Sequence, residues 1–154
     1  MTFVMDQLIK VEQPLHWRGL HDIRREVLFD TGVFPFEYDE NHPDDRAEGN
    51  TPYLLISGGK PIGVVRLDQR ETIVVVRLVG ILTAYQRQGY GRTLGELVDL
   101  QAIAGRVTQL RVNAFINAVG YYEKSGWQHA VWDQDELEMA NGRGVQMIKN
   151  IGPR

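Results

Sequence analysis

The string Gln86-Arg87-Gln88-Gly89-Tyr90-Gly91-Arg92-Thr93 stands between a long β-branched run and a segment of helical period. Glycines at 89 and 91 permit a tight turn and let a ligand approach the backbone amides. The first turn of a helix carries N–H groups without intrahelical partners, and the helix dipole adds positive potential there. Such a turn is suited to an anion, above all a pyrophosphate, with Arg87 and Arg92 as cations at its rim. A Gly-rich strand-to-helix turn that binds nothing has the same local pattern. Two nucleotide-binding alternatives do not fit. A dinucleotide fingerprint needs a third glycine three residues after the second, and here it comes one position late, at Gly95. A Walker loop needs GxxxxGK before Ser or Thr, and no such string is present.

A second group of chemically capable residues is Ala118-Val119-Gly120-Tyr121-Tyr122-Glu123-Lys124-Ser125-Gly126-Trp127. By spacing alone Tyr122 reads first as a packed aromatic on a helix face, and Tyr121 as its core neighbour. A phenol with a pKa of about 10 is protonated at neutral pH and can also donate a proton. Asn113 and Asn117 are candidates for polar contacts, or simply a strand end and a helix N-terminal turn. A carboxylate to serve as general base is harder to find. The run 72–83 contains no acid, and Arg77 is its only charge. Asp68 and Glu71 fall in the turn before it. Segment 31–50 offers Glu37, Asp39, Glu40, Asp44 and Asp45 together with Phe34, Phe36 and Tyr38. It reads either as solvated surface or as a substrate-facing lid that attracts a cation.

These residues must be positioned by a single domain spanning residues 1–154: the chain has 154 residues, 43% hydrophobic and 24% charged. Its net charge of -3 argues against a dedicated nucleic-acid binder, although thirteen of the 17 cations are Arg. The absence of Cys removes disulfides, thiolate metal sites and Cys nucleophiles, and the four His lack metal-ligand spacing, so no metal is expected. No apolar stretch is long enough for a bilayer, and the N-terminus lacks the basic start and apolar run of a signal peptide. A cytoplasmic protein without a membrane partner is expected.

Hydrophobic periodicity predicts a strand at 5–11 and a helix from Pro14 to about Phe29. Strands follow at 52–57, 61–67 and 72–83, with Gly58-Gly59 as a hairpin turn and 68–71 as the second turn. A short helix starting around His42-Pro43 fits the long acidic segment. A helix at 89–105, a strand at 107–112, a helix at 115–124 and two strands at 127–132 and 145–151 complete an α+β, or mixed α/β, domain.

The chain resembles the GNAT superfamily of N-acetyltransferases. The family signature Gln/Arg-x-x-Gly-x-Gly/Ala is matched by Gln86, Gly89 and Gly91, and the pattern Ala-x-x-x-Tyr-Glu-Lys-x-Gly-aromatic by Ala118 to Trp127. The resemblance implies a largely antiparallel twisted sheet of about seven strands, splayed in a V between strands 4 and 5 and flanked by about four helices. It implies acetyl-CoA as co-substrate. The pyrophosphate would rest on the amides of Arg87, Gln88, Gly89, Tyr90, Gly91, Arg92 and Thr93. The pantetheine arm would pair with free backbone groups at Ile81, Leu82 and Thr83, helped by Asn113 and Asn117, with an oxyanion donor near Leu82. Tyr122 takes the place of the family's general acid. The implied activity is direct acetyl transfer to a primary amine of a small metabolite or peptide. A non-catalytic CoA-binding sensor is the alternative. Many members dimerise. Arg24 to Phe29 followed by the acidic segment resembles a bacterial branch of small GNAT proteins. That branch often has Asn-Ala-Gln where this chain has Asn113-Ala114-Phe115, and a His before its last strand, where this chain has Gly144 or a neighbour.

Overall fold

In the computed structural model, which describes residues 5–152, seven strands form one sheet in the order β1-β2-β3-β4-β5-β7-β6. The leader reading rests partly on residues 1–4, outside the described range. Strand β1 (Gln7–Lys10) pairs antiparallel with β2 (Asn50–Ser57). The strands β2, β3 (Lys60–Arg70) and β4 (Ile73–Ile81) form the expected antiparallel meander. Strand β5 (Gln109–Phe115) runs parallel to β4, and β7 (Gly144–Asn150) lies antiparallel between β5 and the two-residue β6 (Gln128–His129).

Helix α1 (Pro14–Arg24) starts on Pro14, whose fixed φ and missing N–H suit a first helical turn. The His16 ring accepts from the backbone N–H groups of Glu12 and Gln13. The helix widens into a π-helical turn at Arg25–Phe29, so the expected end near Phe29 is the observed one. Together they press Leu20, Ile23 and Leu28 onto Leu54 and Val64 of the sheet. Helices α2 (Tyr90–Ala104) and α3 (Val119–Lys124) cover the other face, where Leu94, Val98 and Tyr122 meet Val65, Val76, Leu110 and Val112. The alternation of buried and half-exposed residues along β5 is that of a strand with one face against the core.

Three local expectations are corrected. Strand β3 runs on to Arg70, so Asp68 lies within a strand opposite Val75 and the turn is Glu71-Thr72. The reason is a fork of hydrogen bonds from Arg66 to both Asp68 oxygens, which holds Asp68 in the sheet. The strand expected at 127–132 shrinks to β6, and a helix missed in the sequence, α4 (Gln134–Met139), follows it. The side chain of Asp133 caps α4 by accepting from Glu136 N–H at 3.0 Å. The helix expected from 115 starts at Val119, because Phe115 ends β5 and Ile116–Ala118 form a 3-10 turn.

Two irregularities shape the centre of the sheet. The register of β3 with β4 shifts between Val64/Gly80 and Arg66/Arg77, a bulge centred on Leu78 with φ 53°. It places Val76 and Val79 toward α2 while Leu78 packs toward α1. The pairing of β4 with β5 stops at Val76/Val112. Beyond that point the two parallel strands diverge.

Candidate active site

The glycine turn takes the path expected of it. Gly89 caps α2 in the left-handed region, φ 88°, with open space where a Cβ would stand. Only glycine adopts that conformation without strain. The first N–H to bond within α2 is that of Thr93, to Gly89 O at 3.1 Å. Among the described residues, the N–H groups of Arg87, Gln88, Gly89, Tyr90, Gly91 and Arg92 meet no protein acceptor. The side chains around them brace the turn. Gln86 donates to Ile81 O and Gln88 to Ala84 O, both at 2.9 Å, and the Thr93 hydroxyl donates to Gly89 O at 3.2 Å. The Tyr90 ring packs edge-on against Tyr85. Arg87 is exposed, and the exposed Arg92 pairs with Glu96 along the helix.

The backbone at the end of β4 is less free than expected. Leu82 N–H donates to Ile62 O at 2.8 Å, and Thr83 N–H to the Glu26 carboxylate at 3.2 Å. The N–H of Leu82 is therefore not an oxyanion donor in this arrangement. Ile81 differs, because alternate residues of an antiparallel strand point their polar groups to opposite edges. Leu82 faces β3, so the Ile81 N–H faces the divergence from β5.

Helix α3 brings Tyr122 to that divergence from the other side. Tyr122 is 9% exposed, with its ring edge-on to Tyr121 at 5.1 Å and to Trp127 at 5.3 Å. It lines a cavity of about 30 Å³ with Val79 of β4 and Gly95 of α2. Burial pushes the phenol well above its ordinary pKa, so the hydroxyl keeps its proton. Among the described residues no side chain hydrogen-bonds this hydroxyl, and burial with the neighbouring Tyr121 accounts for its shift. Tyr121, expected as core, is 37% exposed and donates from its hydroxyl to Gly91 O.

The two asparagines are not brought to the cavity. Asn117 is exposed in the 3-10 turn after β5. Asn113 projects from the opposite face of the sheet, where it donates to Glu136 at 2.7 Å and accepts from Gln146 at 3.0 Å. Strand alternation is the cause: its neighbours Val112 and Ala114 occupy the face of α2 and α3.

That opposite face carries a continuous chain of charges. Asp45, 3% exposed, accepts from Arg24 at 2.8 Å and Arg66 at 3.1 Å. Arg66 bridges to Asp68, Asp68 to Arg77, and Arg77 to Glu136. Arg77 and Asn113 are the first residues past the last β4–β5 pair, and Glu136 joins both. Glu136 did not stand out in the sequence. The spacing Asp133-x-x-Glu136 is a helix-start signature that could have drawn attention to it.

Most of segment 31–50 is exposed, and a few of its side chains tie it to α1. Glu40 pairs with Arg18 and Arg25, whose hydrogen bonds bring its carboxyl down to about 2. Tyr38 OH lies 2.5 Å from His21 Nδ1, and Phe34 packs edge-on to Phe115. Two of the acids that would attract a cation, Glu40 and Asp45, are thus already matched by arginines.

The model of the GNAT acetyltransferase domain matches residues 34–151. The chain belongs to the GNAT acetyltransferase family. The fold of this acetyltransferase is shared by solved structures of low sequence identity. The ribosomal-protein-S18-alanine N-acetyltransferase of Escherichia coli superposes with a TM-score of 0.74 at 18% identity, covering 97% of this chain and 96% of that one. Escherichia coli ElaA gives 0.74 at 15%, covering 94% and 99%. A Bacillus subtilis acetyltransferase in complex with CoA gives 0.72 at 17%, covering 96% and 99%. Among curated proteins, no sequence matches this acetyltransferase. No helix among its described residues is long and apolar enough to cross a membrane.

Proposed function

We propose that this acetyltransferase moves the acetyl group of acetyl-CoA directly to a primary amine of a small metabolite or an exposed peptide amine. The observation that carries the reading is the turn of open amides at the start of α2, beside β4 where it parts from β5, with Tyr122 buried against the same helix. The turn suits the pyrophosphate, since its amides are free and nothing crowds Gly89. The Ile81 N–H offers a strand edge to the extended amides of the pantetheine arm, a cofactor version of strand addition.

With the cofactor on the face of α2 and α3, the amine comes from the opposite face, past Arg77, Asn113 and Glu136. It must be neutral to attack, and a lysine-type amine has a pKa of roughly 10.4. As the new C–N bond forms and the C–S bond breaks, the amine proton leaves to water on the polar face. The Tyr122 hydroxyl donates to the departing sulfur, whose ordinary pKa is about 8.5, and the proton that the amine gave to water restores the phenol as free CoA thiol leaves. The reading places the protein in the cytoplasm, acting on a soluble amine, with neither nucleic acid nor membrane as partner and no metal required.

A CoA-binding module without transferase activity is the second reading. The lack of an acid between Ile73 and Ile81 and the pairing of Glu136 with Arg77 favour it. Calorimetry with acetyl-CoA, followed by product detection over a panel of amines, separates the two. Micromolar binding with turnover supports the enzyme; tight binding with no amine acetylated supports the module; no binding at millimolar ligand overturns both. Gly89→Val tests the turn directly. A β-branched residue is a genuine outlier at the φ of 88°, so the turn must rearrange. Acetyl-CoA affinity is expected to fall by a factor of roughly ten or more, at a stability cost of about 1–3 kcal/mol. Wild-type affinity in this variant would assign the turn a purely structural role.

A further inference from the structure

We infer that Tyr121 is a positioning residue for the pyrophosphate turn, fixing the peptide unit that carries the Arg92 N–H. The inference rests on the cofactor reading above and extends it to a residue at an unspecified position of the matched motif. The Tyr121 hydroxyl donates to Gly91 O at 2.5 Å. The same peptide unit contains the Arg92 N–H, in the first turn of α2 and without an intrahelical partner. A donor on the carbonyl polarises the amide, which strengthens its N–H as a donor to an anion, and it also fixes the plane of that peptide.

The fit between the two helices supports this role. A Cβ on Gly91 would stand 3.5 Å from the Tyr121 ring, and a Cβ on Gly95 only 3.0 Å from its hydroxyl. Gly95, the glycine that falls one place late for a dinucleotide motif, thus has a physical use: it leaves room for this hydroxyl. Tyr121 also touches Tyr122 edge-on, so the latch joins the phosphate end of the site to the sulfur end.

The experiment compares wild type, Tyr121→Phe, Gly95→Ala and the double variant. Calorimetric Kd for acetyl-CoA, the ³¹P resonances of bound CoA and Tm are measured for each. Loss of the hydroxyl is expected to weaken acetyl-CoA binding about three- to tenfold, the usual scale for one hydrogen bond. The pyrophosphate resonances shift, KM for acetyl-CoA rises and kcat changes by less than a factor of about two. Gly95→Ala weakens binding in the wild-type background and has no further effect in Tyr121→Phe, because its target is gone. Unchanged Kd in Tyr121→Phe overturns the latch, and so do unshifted ³¹P resonances or strictly additive variants. A wild-type protein that binds no acetyl-CoA overturns the cofactor reading itself, and the latch with it.

Discussion

Replacing Tyr122 by Phe is expected to lower acetyl transfer by about two orders of magnitude, the low end of what a positioned general acid contributes. Acetyl-CoA affinity and Tm should stay close to wild type. The physical reason is the unusual position of this hydroxyl. Its ring is packed against Tyr121 and Trp127, while no side chain among the described residues hydrogen-bonds the oxygen. Phe keeps the packing and removes only the proton. A hydroxyl that served structure would instead lower Tm when deleted. Burial raises the phenol pKa, so Tyr122 stays protonated across the neutral range and adds no acid limb to the pH profile of kcat. Steady-state kinetics with the best acceptor from the amine panel reads the effect. A variant that keeps more than half of wild-type turnover removes Tyr122 from the chemistry.

The second large effect is on stability. Asp45→Ala is expected to cost about 3–5 kcal/mol, because it leaves two buried guanidinium groups without their shared counter-charge. Arg24 is 1% exposed, and its Nε and Nη2 have no partner among the described residues. Asp45 is the acid that meets it. A domain of this size has about 5–15 kcal/mol in total, so the variant is close to the limit of folding. Asp45→Asn keeps the volume and gives a measurable intermediate. Burial opposes the Asp45 charge, but hydrogen bonds and charges from Arg24 and Arg66 outweigh it, so its carboxyl sits below the ordinary range. The unfolded chain therefore binds the proton more readily than the folded one. The contribution of Asp45 is complete above the unfolded pKa of about 3.9 and is lost as pH falls through the folded value. Urea midpoints of wild type and Asp45→Asn should differ at pH 7 and converge as the solution is acidified below pH 4. A difference independent of pH would mean that packing, and not charge, carries the effect.

Much of the site was legible where its chemistry is local. The conformation of Gly89 follows from a glycine between a strand and a helix, whatever the rest of the chain does. The placement of Tyr122 on a short helix before Gly126-Trp127 could likewise be read from a dozen neighbouring residues. The fold class, the antiparallel meander and the order of α1, α2 and α3 followed from hydrophobic period and turn residues, which act over a few positions.

What remained hidden depends on partners far along the chain. The Leu78 bulge is a register shift between β3 and β4, and a strand's own alternation carries no mark of it; so Leu82 was expected to be free when its N–H is spent on Ile62. Asn113 looked available because its pairing residues, Glu136 and Gln146, lie 23 and 33 positions away. Asp45 looked like one more surface acid until Arg24 and Arg66, each 21 positions distant, closed on it. Local sequence thus determined which backbone can turn and which side chain can hold a proton. Only the tertiary structure decided which of those groups stay unspent. A hydrogen bond or ion pair consumes a group at a distance of about 3 Å in space, whatever its separation in sequence.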